Sequence, residues 1–151
     1  MELSAKVEYA LLALLEIAGR PAQKEPLKIS EISAKQSIPD RYLEQILTNL
    51  RRDGIVQSQR GAKGGYILAR DPWKITLLDI VSCMEGDAQS DLSRTSNRLE
   101  KNKSYTIERD LLQDVWHQSR EAAQAVLSQY TIADLCERRN AAQQTSPMYH
   151  I

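Results

Sequence analysis

Aromatic residues and cysteines are scarce in this sequence. Its 151 residues include no phenylalanine, two tryptophans and two cysteines, so aliphatic side chains must fill the core. The cysteines, Cys83 and Cys136, are 53 positions apart, and the sequence has neither a Cys-x-x-Cys motif nor a Cys/His cluster with zinc-binding spacing. A structural zinc site of the usual kind is therefore excluded.

Long hydrophobic runs are also missing. No apolar stretch reaches the roughly 18 residues that a membrane-spanning helix needs. The N-terminal residues Met1 to Ser4 lack the basic region of a secretory signal. With 42% hydrophobic and 26% charged residues, the composition is typical of a globular protein with one compact domain and room for an appended arm. We expect a cytoplasmic protein.

The chain has no excess of charge of either sign, because 20 Lys and Arg residues balance 20 Asp and Glu residues. The charges are unevenly distributed, however. Residues 28–74 carry nine basic and five acidic residues, a balance of +4, whereas residues 1–27 sum to −1 and residues 75–151 to −3. A basic segment between acidic flanks suits a domain with one electropositive face for nucleic acid, although chance clustering would also explain an excess of this size.

The first 60 residues predict three helices. Ser4 is a plausible N-cap for a helix over residues 4–18 that is apolar on two sides, and a partner subunit could cover the second side. Ser30 then caps a short helix to Gln36, and a tight turn leads to a third helix from Pro39 to Asp53.

The third helix divides into two faces. Its apolar stripe is Leu43, Ile46, Leu47 and Leu50, and its opposite face is Arg41, Glu44, Gln45, Thr48 and Arg52. Side chains of the second kind reach base edges in the major groove of DNA. A solvated surface is the alternative, but the preceding helix and tight turn favour a helix-turn-helix.

A β-hairpin is predicted next. Two short apolar segments, residues 55–58 and 66–69, flank a Gly-rich basic loop with Arg60 and Lys63. The order helix, helix-turn-helix, hairpin is that of a winged helix, and the loop would be the wing. A nucleotide-phosphate loop is a weak alternative, because neither a Gly-Lys-Ser/Thr motif nor a helix follows.

The second half of the chain is predicted to be helical with a polar interruption. Thr76 and Asp79 resemble a capping box that opens a helix to Gly86, and residues 87–105 form a polar loop without apolar periodicity. A long helix follows over residues 107–129, with apolar positions spaced by three and four as in helices that pack along a partner helix. Thr131 caps a terminal helix to about Arg139.

We therefore expect a mainly α fold with a small β-hairpin. The expected divisions are a winged helix-turn-helix DNA-binding domain at residues 1–86, a polar loop and candidate sensor region at 87–105, dimerisation helices at 106–139 and a flexible tail at 140–151. The dimerisation residues would be Leu111, Leu112, Val115, Trp116, Ala122, Ala123, Val126 and Leu127.

Several of these segments resemble the IscR/NsrR/CymR family of bacterial winged-helix transcription regulators, the Rrf-two family. The matching stretches include Ile38-Pro39-Asp40-Arg41-Tyr42-Leu43-Glu44-Gln45-Ile46-Leu47 and Arg60-Gly61-Ala62-Lys63-Gly64-Gly65-Tyr66. The resemblance is close over residues 2–86 and continues more faintly from Leu111 to Leu135. It implies a homodimer on pseudo-palindromic double-stranded DNA, joined through the long C-terminal helix.

The resemblance also implies roles for individual residues. Arg41, Glu44 and Gln45 would contact base edges, and Arg60 would enter the minor groove. The expected phosphate contacts are Ser4, Lys6, Tyr42, Arg51, Arg52, Lys63, Gly64, Gly65 and Tyr66. Arg41 stands where relatives often have a smaller residue, so its sequence preference would be its own.

The resemblance fails at the iron–sulfur site of the cluster-binding relatives. Those carry three cysteines in the loop after the fourth helix, whereas residues 87–105 contain none. No cofactor is therefore expected. Cys83 and Cys136 are interpreted as buried apolar residues, but a cluster shared between two subunits and a redox pair both stay open.

We expect a sequence-specific DNA-binding regulator, repressor or activator, with an unidentified small-molecule effector left open. Its site would be a pocket between the winged-helix domain and the dimer helix, or the 87–105 loop. A winged helix that binds protein is the alternative. An enzyme is not expected, because His117 has no nucleophile partner in an elbow motif and the acidic residues form no evident pair.

Overall fold

The computed structural model describes residues 3–21, 25–86 and 106–145. This part of the chain holds six helices, a two-stranded antiparallel hairpin and one 3-10 turn. They are α1 (Ala5–Gly19), α2 (Ile29–Gln36), α3 (Asp40–Arg52), β1 (Val56–Gln59), β2 (Gly65–Leu68), the 3-10 turn (Pro72–Lys74), α4 (residues 77–86), α5 (Ile107–Gln129) and α6 (Ile132–Thr145). The predicted fold class, mainly α with a small hairpin, is confirmed.

Helix α1 lies at the centre of the core. Ser4 caps its N-terminus as predicted, because its hydroxyl accepts the Val7 N–H at 3.3 Å. The fully buried side chains of α1 are Val7, Ala10, Ala13, Leu14 and Ile17. Helix α3 packs against α1, and so does α6 of the same chain. The second apolar side of α1, Leu12 and Leu15, is half-buried within the chain, so the suggestion that a partner subunit covers the rest stays a prediction.

The helix-turn-helix consists of α2, a tight turn and α3. The turn places Ser37 in the left-handed region at φ 54°, and Ser33 donates its hydroxyl proton to Ile38 O at 2.8 Å. The predicted cap at Ser30 is wrong. The Glu31 carboxylate instead accepts the Lys28 N–H at 2.9 Å, so α2 begins two residues earlier than predicted, at Ile29. This hydrogen bond lowers the pKa of the Glu31 carboxyl.

Helix α3 packs against the core through the predicted apolar stripe. Its buried residues are Leu43, Ile46, Leu47 and Leu50. Pro39 takes the N-cap position rather than the first helical position. Gly54, at φ 73°, ends the helix as predicted, and its N–H donates to Arg51 O at 3.0 Å. Glycine reaches this left-handed conformation without the steric cost of a side chain.

The hairpin follows at once and pairs Val56 with Leu68 and Gln59 with Gly65. The other edge of β2 is bridged by Leu27, with Tyr66 N–H donating to Leu27 O at 2.8 Å and Leu27 N–H donating to Tyr66 O at 3.1 Å. The wing is thus tied to the segment that links α1 to α2. This bridge pins the base of the hairpin to the helical core.

Two capping boxes join the later helices. Asp79 accepts the Thr76 N–H at 3.0 Å, and Asp134 accepts the Thr131 N–H at 2.9 Å, as the predicted caps require. The segments that begin α4 and α6 form an antiparallel bridge. Leu77 N–H donates to Tyr130 O and Ile132 N–H donates to Ile75 O, both at 2.9 Å. The N-terminus of α6 is therefore fixed beside that of α4.

Helix α6 is longer than predicted. It continues to Thr145, so residues 140–145, predicted as part of a loose tail, are helical. Alanine and glutamine at positions 141–144 are good helix formers, and no glycine or proline interrupts them. The rest of the predicted tail and the polar loop at 87–105 lie outside the described residues.

Helix α5 has the predicted bounds but no buried residue. Its exposed large apolar side chains are Ile107, Leu111, Leu112, Val115, Trp116 and Val126. Ala123 and Leu127, near its end, are half-buried. No helix in the described ranges is long and apolar enough to cross a membrane.

Candidate nucleic-acid interface

The outward face of α3 carries a row of polar side chains. Arg41, Glu44 and Gln45 are all exposed in the first two turns, because the buried stripe faces the core. Among the described residues, Arg41 forms no hydrogen bond or ion pair. Thr48 donates to Glu44 O at 2.8 Å, as helical threonines do. Arg41 and Gln45 are thus one turn apart and available to an outside ligand.

Tyr42 lies beside this row and is held by an aromatic contact. Its ring meets that of Tyr9 edge-to-face, with centroids 5.9 Å apart and planes at 82°. The ring is still 48% exposed. Such pairs fix ring orientation, so the Tyr42 hydroxyl has a defined direction at the N-terminal end of α3. Ser4 is exposed and Lys6 half-exposed near the start of α1.

The C-terminal end of α3 adjoins the wing. Arg51 donates to the Ser58 hydroxyl on β1 at 3.2 Å. Arg52 lies 3.7 Å from the Asp53 carboxylate, and its side chain is 58% exposed. Two of the predicted phosphate contacts therefore lie where α3 meets the hairpin.

The wing loop presents Arg60 and Lys63, both exposed. Lys63 Nζ is 3.5 Å from Glu25 Oε1 on the segment between α1 and α2. Gly61 has φ 111°, a conformation that favours glycine. The loop therefore holds its two cations at the outer edge of the hairpin.

Gly64 and Tyr66 shape this loop from within. The N–H of Gly64 donates to Gly61 O at 2.9 Å and that of Tyr66 to Leu27 O. These two donors, predicted to contact phosphate, are already used inside the chain. A Cβ on Gly64 would overlap Gln59 O and lie 2.9 Å from Gly61 O, both backbone atoms. Position 64 therefore has room for glycine but not for a residue with a side chain.

Gly64→Ala is expected to open the wing and weaken DNA binding by about tenfold. The backbone oxygens around its Cβ cannot move away without breaking the turn that carries Arg60 and Lys63. Fluorescence anisotropy with duplex DNA measures the loss, and circular dichroism shows whether the helices persist. Gly86→Ala is the control, since a Cβ there meets nothing within 4 Å. Equal DNA affinity of Gly64→Ala and wild type would contradict this role.

Arg70 is a positioning residue that sequence reasoning missed. Its Nε donates to Gly54 O and its Nη2 to Asp53 O, both at 3.2 Å. Its Nη1 also lies 3.9 Å from Asp79 Oδ2. A cation at a helix C-terminus stabilises the free carbonyls. Arg70 therefore ties the end of α3 to the start of α4, and only its position after β2 could have hinted at this.

The structure places Cys83 in the hydrophobic core, whereas Cys136, also predicted to be buried, packs against the core and is only half-buried. Cys83 is 5% exposed and its Sγ–H donates to Asn49 O at 3.5 Å, while Cys136 is half-buried. Burial, helped by Asp53 nearby, raises the pKa of the Cys83 thiol to about 12, and burial also raises that of Cys136. The interpretation of Cys83 as a packing residue is confirmed. A thiol of this kind stays protonated at neutral pH and is a poor nucleophile.

An open groove of about 900 Å³ lies behind the wing. It is bounded by the C-terminal end of α1, by β2 and by the 3-10 turn, with Leu27, Tyr66 and Lys74 among its walls. Within the described residues, α5 does not line it, so it is not the pocket expected between the winged-helix domain and the dimer helix.

His117, on α5, is exposed and lies 3.2 Å from Glu121.

Helix-turn-helix, hairpin and outward-facing polar row together define a winged helix-turn-helix protein of the DNA-binding kind. Comparison with known proteins identifies the family. The Rrf2 family, described as "Iron-dependent Transcriptional regulator", matches residues 3–138. The chain belongs to the Rrf2 family, whose members are transcription regulators and not enzymes.

Individual relatives agree with this assignment. An HTH-type transcriptional regulator of Mycobacterium tuberculosis is 37% identical over 135 residues, covering 89% of this chain and 81% of the relative. CymR of Bacillus subtilis is 29% identical over 149 residues, 99% of each chain. Among solved structures, IscR of T. potens has a TM-score of 0.75 at 29% identity, covering 95% of this chain and 91% of its own. CymR, titled the global cysteine regulator of B. subtilis, has a TM-score of 0.71 at 29% identity and covers 91% and 98%.

The family description names iron, and the residues present were compared with what an iron–sulfur cluster needs. Such clusters are held by thiolates, yet the chain has two cysteines, and that at position 83 is buried with a strongly raised pKa. No group of three or more His, Cys, Asp or Glu residues suited to a metal ion occurs in the ranges that the structure covers. These residues do not fit a three-cysteine cluster.

Proposed function

We propose that the protein acts as a homodimer that binds an inverted-repeat operator and regulates transcription there, in the cytoplasm where the chromosome lies. The observation that supports a dimer is the exposed apolar surface of α5. This helix has 23 residues and no buried one, yet it displays Leu112, Val115 and Trp116 at 70%, 60% and 72% exposure. A contiguous exposed apolar surface of this kind marks an interface.

The second copy is the fitting partner for this surface. The apolar positions of α5 repeat at intervals of three and four, the pattern of a helix that packs along another helix. The proposed contact residues are Leu111, Leu112, Val115, Trp116, Ala122, Ala123, Val126 and Leu127. Two α5 helices packed together would give a twofold axis, and twofold dimers bind inverted repeats.

The DNA contacts are proposed to divide between α3 and the wing. Arg41, Glu44 and Gln45 would read base edges in the major groove, because they form the exposed face near the N-terminus of α3. Arg60 would enter the minor groove from the wing tip. Ser4, Lys6, Tyr42, Arg51, Arg52 and Lys63 would contact phosphates. Gly65 is also proposed to contact phosphate, whereas Gly64 and Tyr66, whose N–H groups are bonded within the chain, would contribute by holding the loop in shape.

This assignment divides the chain into a DNA-binding part at residues 1–86 and dimerisation helices from residue 106. The segment at 87–105 stays a proposed sensor region. An effector, if the regulator uses one, is not assigned a site by the described residues.

Selection of genomic fragments by the anaerobically purified protein tests the proposal. We expect enrichment of a sequence with dyad symmetry, bound with a dissociation constant in the 10⁻⁸ to 10⁻¹¹ M range that is typical of specific regulators, on the order of 10³-fold tighter than random DNA. Absence of any preference over random DNA at low salt would refute it. A protein-binding winged helix would give that result.

Arg60→Ala is expected to weaken operator binding by about tenfold and to reduce the salt dependence of binding. A cation in the minor groove lies between the two phosphate backbones and neutralises their charge, and each phosphate neutralised adds roughly 0.9 to the slope of log K against log salt concentration. Removal of Arg60 from both wings of a dimer should therefore lower the slope by about two. Anisotropy titrations at several salt concentrations measure the slope. Arg138→Ala, on α6, is the charge-matched control and should leave the slope unchanged.

A further inference from the structure

Arg139 of α6 reaches across to the C-terminal end of α1. Its Nη1 donates to Leu15 O at 2.9 Å, across 124 positions of sequence. Helix α1 has no basic residue of its own in its last turn. Cations stabilise helix C-termini by interacting with the last carbonyls and the helix dipole. Arg139 therefore adds a cation from α6 to the last turns of α1, whose end is closed by the Arg20 N–H bond to Ile17 O.

Gly19 provides the space for this contact. A Cβ at Gly19 would overlap Arg139 Nη2 and lie 3.2 Å from both Cζ and Nη1. The backbone of Gly19 is helical and does not have a positive φ, so the position does not need glycine for conformational reasons. A side chain at position 19 would instead displace the guanidinium, which occupies the place of the Cβ. The pair Gly19 and Arg139 thus forms one packing unit between two helices.

This unit stands between the proposed dimer helix and the proposed DNA-contacting helix. Helix α6 continues directly from α5 through Tyr130 and Thr131, and α1 packs against α3. A rotation of α6 on α1 would therefore change the direction of α3 relative to α5. In a dimer the same rotation, applied twice, changes the separation of the two α3 helices.

We propose that Arg139 is a positioning residue that fixes α3 relative to the dimer helix and so sets the half-site spacing that the protein accepts. This rests on the proposed function as a dimer on an inverted repeat. Half-sites must be spaced to match the two recognition elements. If the contact between α6 and α1 is loosened, the dimer should accept a wider range of half-site spacings and should bind DNA with the best spacing less tightly.

The contact is poorly suited to a purely stabilising role. The Nε of Arg139 is buried and has no hydrogen-bond partner among the described residues. A buried donor without a partner opposes folding and offsets what the bond to Leu15 O contributes. Loss of the guanidinium should therefore change the melting temperature little, while its geometric effect remains.

The test uses the full chain and four variants: Arg139→Met, Gly19→Ala, the double variant, and Glu137→Gln as the control that removes a neighbouring exposed charge. The DNA probes are the selected inverted repeat, the same repeat with one to five base pairs inserted at its centre, and a single half-site. Binding is measured by anisotropy, the dimer by sedimentation, and stability by thermal unfolding.

Wild type and Glu137→Gln should lose about 100-fold in affinity when the spacing changes by half a helical turn of DNA. Arg139→Met should bind the best spacing about tenfold more weakly and show a spacing penalty of about fivefold, with half-site affinity and dimerisation kept. Gly19→Ala should behave likewise although alanine favours the helix. The double variant should add nothing further.

Two outcomes separate this inference from the function on which it rests. If wild type binds no repeat in preference to random DNA, the proposed function fails. If wild type shows the spacing preference and Arg139→Met and Gly19→Ala keep it unchanged, the positioning role is refuted and the proposed function stands. Independent, additive effects of the two substitutions would also refute it.

Discussion

Replacing Leu112 with aspartate is expected to make the protein monomeric and to weaken operator binding by about 100-fold or more. A dimer holds its second DNA-binding domain near the second half-site, and this effective concentration adds a factor of about 10² to 10⁴ in affinity. Leu112 is 70% exposed in the chain, so an aspartate there costs the monomer little. In a packed pair of α5 helices it would bury a charge without a partner.

Sedimentation and DNA titration of Leu112→Asp measure the two effects together. Gln124→Asp is the matched control, because it adds an acid to an exposed position of the same helix, roughly a third of a turn away from Leu112. The control should stay dimeric and bind as wild type does. A Leu112→Asp protein that remains dimeric would show that α5 does not join the subunits.

Gln45→Ala and Arg41→Ala are expected to lose specificity rather than the ability to bind DNA. Each side chain projects from the exposed face of α3, where a good contact to a base is worth about 1–3 kcal/mol of discrimination. Loss in both half-sites should weaken operator binding by about 100-fold. Gln45→Ala should leave binding to random DNA at low salt unchanged, because glutamine carries no charge for phosphate.

Repeating the selection with each variant identifies the affected base pair. The base preference should disappear at one position of each half-site, and the two positions should be related by the dyad symmetry of the operator. All other positions should keep their base preference. Gln118→Ala, on α5, should reproduce the wild-type sequence preference. An unchanged preference in both Gln45→Ala and Arg41→Ala would remove α3 from base recognition.

Local patterns in the sequence predicted most of the helices and the hairpin. Ser4, Gly54, the Thr76/Asp79 box and the Thr131/Asp134 box act at helix ends through hydrogen bonds between residues three or four positions apart. Such bonds depend only on neighbouring residues, so the sequence states them directly. The same holds for the stripe of α3, whose spacing alone separates its buried face from its exposed face.

Two helix ends were predicted wrongly. At one of them another residue forms the cap, and at the other no helix-breaking residue is present. Ser30 was the expected cap of α2, but Glu31 reaches back to the Lys28 N–H, and both residue types can cap. Helix α6 was expected to end near Arg139, but residues 140–145 continue it, because nothing in them breaks a helix. These errors concern helix ends, where a single hydrogen bond decides.

The sequence by itself thus determined the winged helix-turn-helix, the outward polar row of α3 and the apolar stripe of α5, because each follows from periodicity and capping. Only the tertiary structure placed Arg70 at the end of α3 and Arg139 at the end of α1. It also showed that α6 packs against α1 and that Cys83 lies in the core. These contacts join residues that are far apart in the chain, and no local spacing encodes which distant side chain will reach a given helix end. The same is true of the role of Cys83, whose buried thiol packs against α3 and has a raised pKa because of its burial.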